Sequence, residues 1–181
     1  MSETRSGYQR SAPGLVGAIL ICLALIGVVW ALAKFQGAGG EKIDPAPTVD
    51  YSAELADARQ EAPFDVLAPE PPPKSWRATS VDFEVAGPIR TWKLGFLTPD
   101  EDFVGLTQSN ASSNDVVEGA TRADQPGAPV TVGGEQWQTL TSGDGEDETA
   151  LVFAGDDVTV VVTGTVDEAA LVAFAESLRA D

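Results

Sequence analysis

The run from Gly14 to Ala33 carries no charged residue, and at about 1.5 Å per residue a helix over it matches the roughly 30 Å hydrocarbon core of a bilayer. A single span fixes the organisation of everything else. Residues 1–13 fall on one side, residues 14–33 cross, residues 34–49 form a linker, and residues 50–181 fold on the far side. Arg5 and Arg10 flank the run on its amino side against one acid, Glu3, so the excess of basic residues predicts a cytoplasmic N-terminus and a C-terminal domain outside the cell membrane. Trp30 reads as an anchor at the outer interface.

Two processing events would remove the span. Ala31-Leu32-Ala33 fits a small-x-small cleavage pattern, but the apolar run is longer than the roughly 7–15 residues of a signal-peptide core. Cys22, the only cysteine, sits mid-run after Ile21 and reads as a small apolar membrane residue rather than a lipid attachment point. The expectation is a retained anchor.

All but one of the 28 acidic residues, and only eight of the 11 basic ones, lie beyond residue 34. Nucleic acid and anionic lipid surfaces both require a positive face, so neither suits this domain, while a cationic partner and simple solubility both remain open readings of the charge. The chain has no histidine, which removes Ser-His-Asp and Cys-His catalysis and the commonest transition-metal ligand. With one cysteine, inside the apolar run, there is no intramolecular disulfide and no thiolate zinc site. No cofactor is implied.

The linker is rich in glycine and proline, as flexible stalks are. Asp50 to Ala62 predicts a helix capped by Asp50, with Tyr51, Leu55, Ala58 and Ala62 on one face and Pro63 as its stop. Phe64 to Leu67 is a brief extended segment, and the proline run from Pro69 to Pro73 reads as a rigid connector. Strands follow by alternation: Val81, Phe83 and Val85, then Trp92, Leu94 and Phe96, then Phe103 to Gln108. Ser112 and Asp115 open a short helix over Asn114–Thr121. Val130–Val132 and Gln136–Thr141 form a hairpin about Gly133-Gly134, and Thr149–Ala154 pairs with Val158–Thr163. The β-branched run Val158–Val162 belongs at the centre of the sheet. Thr165 and Glu168 read as the capping box of a final helix whose Leu171, Phe174, Ala175 and Leu178 share a face. The predicted architecture is α+β: one antiparallel sheet with the helices on one side.

Several of these segments, taken in order, resemble the actinobacterial domain of unknown function 4245 family: Ala62 to Pro69 leading to Trp76 to Ser80, Thr91 to Asp100, Gln108-Ser109, Gly134 to Trp137, Val160 to Thr165, and Leu171 to Arg179. The N-terminal span is part of the likeness, which covers nearly the whole chain. One position departs, because the family places Pro-x-Gly before the tryptophan where this chain has Pro73-Lys74-Ser75-Trp76. The resemblance implies a membrane-anchored protein facing away from the cytoplasm and brings no activity, ligand or catalytic residue.

The densest polar cluster, Asp144 to Glu148, fails as an EF-hand loop, because the sixth position is Thr149 and the twelfth Gly155 where glycine and glutamate are needed. It reads as a solvated hairpin tip, as does Pro99 to Asp102. Paired carboxylates can hydrolyse glycosides without histidine, yet the acids here fall in predicted turns or on solvent faces. Lys74 and Lys93 lie in polar surroundings unsuited to Ser-Lys catalysis. Trp76, Trp92, Trp137 and Phe174 are the candidate ligand or partner surface, set against the plainer reading that the tryptophans are core. The leading expectation is a non-enzymatic domain that binds another envelope component. The alternatives are an apolar-ligand or lipid-binding module using a gap between sheet and helix, and, third, a carboxylate-dependent hydrolase.

Overall fold

Strand pairing in this protein runs through successive hairpins, as the alternating segments predict. The computed structural model describes residues 47–71, 73–143 and 148–180, all within the compact unit Ala46–Asp181. Helix α1 (Ser52–Glu61) and strand β1 (Ala68–Pro69) precede a three-stranded meander of β2 (Arg77–Ala86), β3 (Ile89–Leu97) and β4 (Phe103–Ser109). Helix α2 (Ser113–Ala120) then leads to β5 (Gln125–Pro126), β6 (Val130–Val132), β7 (Glu135–Thr141), β8 (Thr149–Ala154) and β9 (Thr159–Gly164). Helix α3 (Glu168–Ser177) and β10 (Leu178–Arg179) finish the chain.

Eight strands form one sheet in the order β2-β3-β4-β9-β8-β7-β5, with β6 also on β7, and β1 pairs with β10 in a separate ribbon. Every pairing is antiparallel. The β-branched strand β9 lies in the middle and is buried at every position, since a strand covered on both faces needs no polar alternation. Its neighbour across the hairpin turns at Gly155, whose N–H donates to the Val158 carbonyl at 2.9 Å. The β6–β7 turn takes φ of 59° at Gly133 and 93° at Gly134, the pair of positive values that a two-residue hairpin loop demands and glycine adopts freely.

The sheet has helices on both faces, which corrects the expectation of helices on one. Val160 and Val162 belong to the cluster containing Leu55, Leu171 and Phe174, so α1 and α3 cover that face. Val161, between them, packs with Val116 of α2 on the other. Ser113 and Thr159 share a hydrogen bond of 2.8 Å across this second interface. The cause is the length-two repeat of a strand: the consecutive valines Val160–Val162 at the middle of β9 offer an apolar surface to each side, and one short helix covers the smaller one.

Helix ends follow local chemistry, with two revisions. At α2, Ser112 Oγ accepts from the Asp115 N–H at 3.4 Å, as the capping box predicts, and its hydroxyl donates to the Asp115 carboxylate at 2.6 Å, a side-chain pair outside that motif. At α3 the cap is Asp167, whose Oδ1 accepts from the Ala170 N–H at 2.7 Å. Thr165 is used elsewhere, its Oγ1 accepting from the Phe103 N–H at 3.0 Å. At α1 the cap position is Tyr51, one residue later than the expected Asp50, whose Oδ1 still accepts from the Ser52 N–H at 3.0 Å. Leu55 and Ala58 are buried and Tyr51 and Ala62 pack on the same core, so the predicted face is the one used.

Among the described residues no helix is long and apolar enough to cross a membrane. The candidate span 14–33, the segment 1–13 expected to be cytoplasmic and most of the expected linker 34–49 lie outside the described residues.

Candidate functional site

Between α1 and β1 the chain crosses the α1/α3 face of the sheet as an irregular strap, Pro63 to Leu67. Such a segment has no strand partner for its backbone groups, and buried ones must still be paired. Side chains from the sheet supply the partners. Gln108, 1 % exposed, accepts from the Leu67 N–H at 2.7 Å and donates to the Asp65 carbonyl at 3.3 Å, and the Trp92 indole donates to the Leu67 carbonyl at 3.1 Å. Arg59 adds three longer bonds, from Nε to the Val66 carbonyl, from one terminal nitrogen to Glu70 and from the other to the Arg179 carbonyl.

Fixed in this way, the strap forms one wall of a groove of about 610 Å³. The end of α3 with β10 forms a second wall, and the β6–β7 and β8–β9 turns complete the mouth. The floor is apolar, built on Trp137 and Phe153, whose rings are 5.5 Å apart at 32°, together with Val160. The mouth is acidic. Asp65, Glu135, Asp156, Asp157 and Glu176 line it and are exposed, against the single guanidinium of Arg179, which itself donates to the Glu176 and Leu178 carbonyls.

The four candidate residues do not share one surface. Trp92 is fully buried in the core and Phe174 is 3 % exposed. Trp76 stacks on Phe174 at 5.7 Å and 12°, and Phe174 meets Phe96 edge-on at 5.5 Å, so the space between α3 and this end of the sheet is filled by aromatic rings. Trp76 also borders a second cleft of about 450 Å³, beside Tyr51, Leu55 and Arg59. Only Trp137 reaches the acid-rimmed groove. Tyr51 has its pKa raised, first by burial and then by Glu70 and Asp50, and donates to the Pro69 carbonyl at 3.2 Å.

The resemblance-based departure at Ser75 has a structural counterpart. Trp76 N–H donates to the Pro73 carbonyl at 3.2 Å, closing a β-turn in which Ser75 takes φ of 69°. Positive φ at the third turn residue is what glycine supplies, so the turn persists and serine carries the strain.

Glu148 corrects the reading of its cluster as wholly solvated. Its Oε1 accepts from Thr121 at 2.6 Å and from Thr163 at 2.7 Å, and Oε2 from the Arg122 N–H at 3.4 Å. Burial raises its pKa, but these hydrogen bonds and the Arg122 charge outweigh burial and hold it below the ordinary value. The carboxylate thereby ties the α2–β5 connection to β9. Asp144 to Asp147 lie outside the described residues, and among those described no three His, Cys, Asp or Glu side chains converge as metal ligands. Lys93 faces Glu84 at 3.4 Å and Asp82 at 4.0 Å on an exposed strand face.

Sequence reasoning missed Gln108 and Glu148. A buried glutamine at the end of an apolar strand is a legible signal that something irregular needs its amide; nothing local marks Glu148.

A search of curated proteins finds no match. The model of the family described as "Protein of unknown function (DUF4245)" matches residues 8–178, and the chain belongs to that family.

Proposed function

We propose that this chain is a single-pass membrane protein, N-terminus in the cytoplasm, whose acidic α+β domain lies outside the cell membrane and acts as a non-enzymatic interaction module of the envelope. The uncharged run 14–33 and the basic residues before it support the topology. The observation that carries the interaction reading is the groove, an apolar floor of the buried Trp137 and half-buried Phe153 beneath an exposed acidic rim. Apolar concavities with polar edges are the usual form of a recognition site. The competing reading, a lipid held between α3 and the sheet, finds that gap occupied by the Trp76–Phe174–Phe96 rings.

Topology and binding are tested in intact cells. A membrane-impermeant maleimide is expected to label Ser112→Cys without lysis, and a photo-crosslinking residue at position 135 is expected to capture an envelope component that the same residue at position 84, on the opposite face of the sheet, does not. Labelling only after lysis, or identical capture from both positions, overturns the reading.

A further inference from the structure

The groove's charge pattern identifies what it takes. Resting on the interaction reading above, we propose that the occupant is a cationic polypeptide segment, lysine- or arginine-rich, with one apolar side chain seated on Trp137 and Phe153.

The five rim carboxylates come from four separate places in the chain: the strap (Asp65), the β6–β7 turn (Glu135), the β8–β9 turn (Asp156 and Asp157) and the last turn of α3 (Glu176). None of them takes part in a described ion pair within the domain. Two of the placements work against the fold's own electrostatics. Glu176 lies in the final turn of α3, where its carboxylate adds to the negative helix end although the Arg179 guanidinium donates to the Glu176 carbonyl at 2.7 Å, and Asp156 and Asp157 are adjacent like charges at the tip of a tight turn. Five carboxylates against one guanidinium around an apolar floor complement a partner with spaced positive charges.

A single small cation faces one such position at a time. An extended chain, advancing about 3.3 Å per residue with side chains alternating in direction, presents ammonium or guanidinium groups to several and drops an apolar side chain between them. The cavity of about 610 Å³ holds such a side chain with room for backbone. Anionic lipids and nucleic acids meet the same rim with repulsion.

The test uses the full chain in nanodiscs of neutral phosphatidylcholine and a short lysine peptide with a central leucine, titrated by calorimetry. Asp156→Asn with Asp157→Asn is expected to weaken binding roughly tenfold at low salt, and leucine-to-serine in the peptide is expected to weaken it too. Asp100→Asn with Glu101→Gln, an acid pair at the opposite end of the sheet, is expected to change nothing. Equal weakening by both pairs, an unaffected serine peptide, or palmitate competing for the site with full affinity overturns the proposal. If crosslinking at position 135 still captures an envelope component while the peptide fails to bind, the interaction reading stands and only the partner chemistry falls; loss of both removes the groove from function.

Discussion

Trp92 and Gln108 lie opposite each other on β3 and β4 and between them satisfy both backbone groups of one residue, Leu67. A sheet thereby holds an irregular segment through two side chains instead of a ladder. Both are buried, so the bonds are shielded from water and their loss is felt.

Gln108→Leu leaves the Leu67 N–H and the Asp65 carbonyl without their partner. The expected cost is about 1–3 kcal/mol, the desolvation penalty of buried groups left unpaired. Urea denaturation measures it, and hydrogen exchange at the Leu67 amide should accelerate beyond what the global loss explains. Unchanged exchange at Leu67 would mean the strap is held by packing alone.

Ser75→Gly should stabilise the domain. The φ of 69° strains serine, and relief of a left-handed conformation is worth about 1 kcal/mol or more before the greater freedom of unfolded glycine takes part of it back. A net gain of about 0.5 kcal/mol is expected by thermal melting, and Ser75→Val should lose at least as much.

The Glu148 carboxylate has a lowered pKa in the fold, so it contributes stability that is complete above the unfolded value of about 4.3 and disappears as pH falls through the folded one. The group is partly exposed, and solvent screening keeps the effect modest. Glu148→Gln is expected to cost about 1 kcal/mol at neutral pH, and the two proteins should converge as the pH drops below roughly 4. A difference that persists undiminished at low pH would assign the effect to shape rather than charge.

Phe174 sits between Trp76 and Phe96, and Phe174→Ala should destabilise by about 3–5 kcal/mol. Glu176, two residues on and exposed, should tolerate alanine within about 0.5 kcal/mol. Comparable effects in a denaturant series would show that α3 does not depend on its aromatic contacts.

Period-two and period-three-to-four patterns made most elements legible: the glycine turn at 133–134, the β-branched run that became the central strand, and the buried helix face Leu171-Phe174-Ala175, although Leu178, expected on that face, is buried one residue past the helix in β10. Patterns report a residue's own element, and they failed where the deciding partner was distant. Thr165 has the spacing of a cap but bonds to Phe103 across the sheet end, leaving Asp167 to cap the helix. The position of α2 depended on both faces of β9 being apolar, which a continuous valine run states without saying what covers each. The groove was illegible for the same reason, since its rim is assembled from four stretches that no local window contains.

The pairing of Ala68 with Arg179 and of Pro69 with Leu178 joins segments separated by the whole main sheet. Contacts so far apart in sequence close late, because the loop between them must be ordered first. Leu178 and Arg179 also wall the groove, so the groove is complete only once this ribbon has closed. Opening this two-residue ribbon would open the groove as well, so the shape of the concavity depends on a contact that lies outside the main sheet.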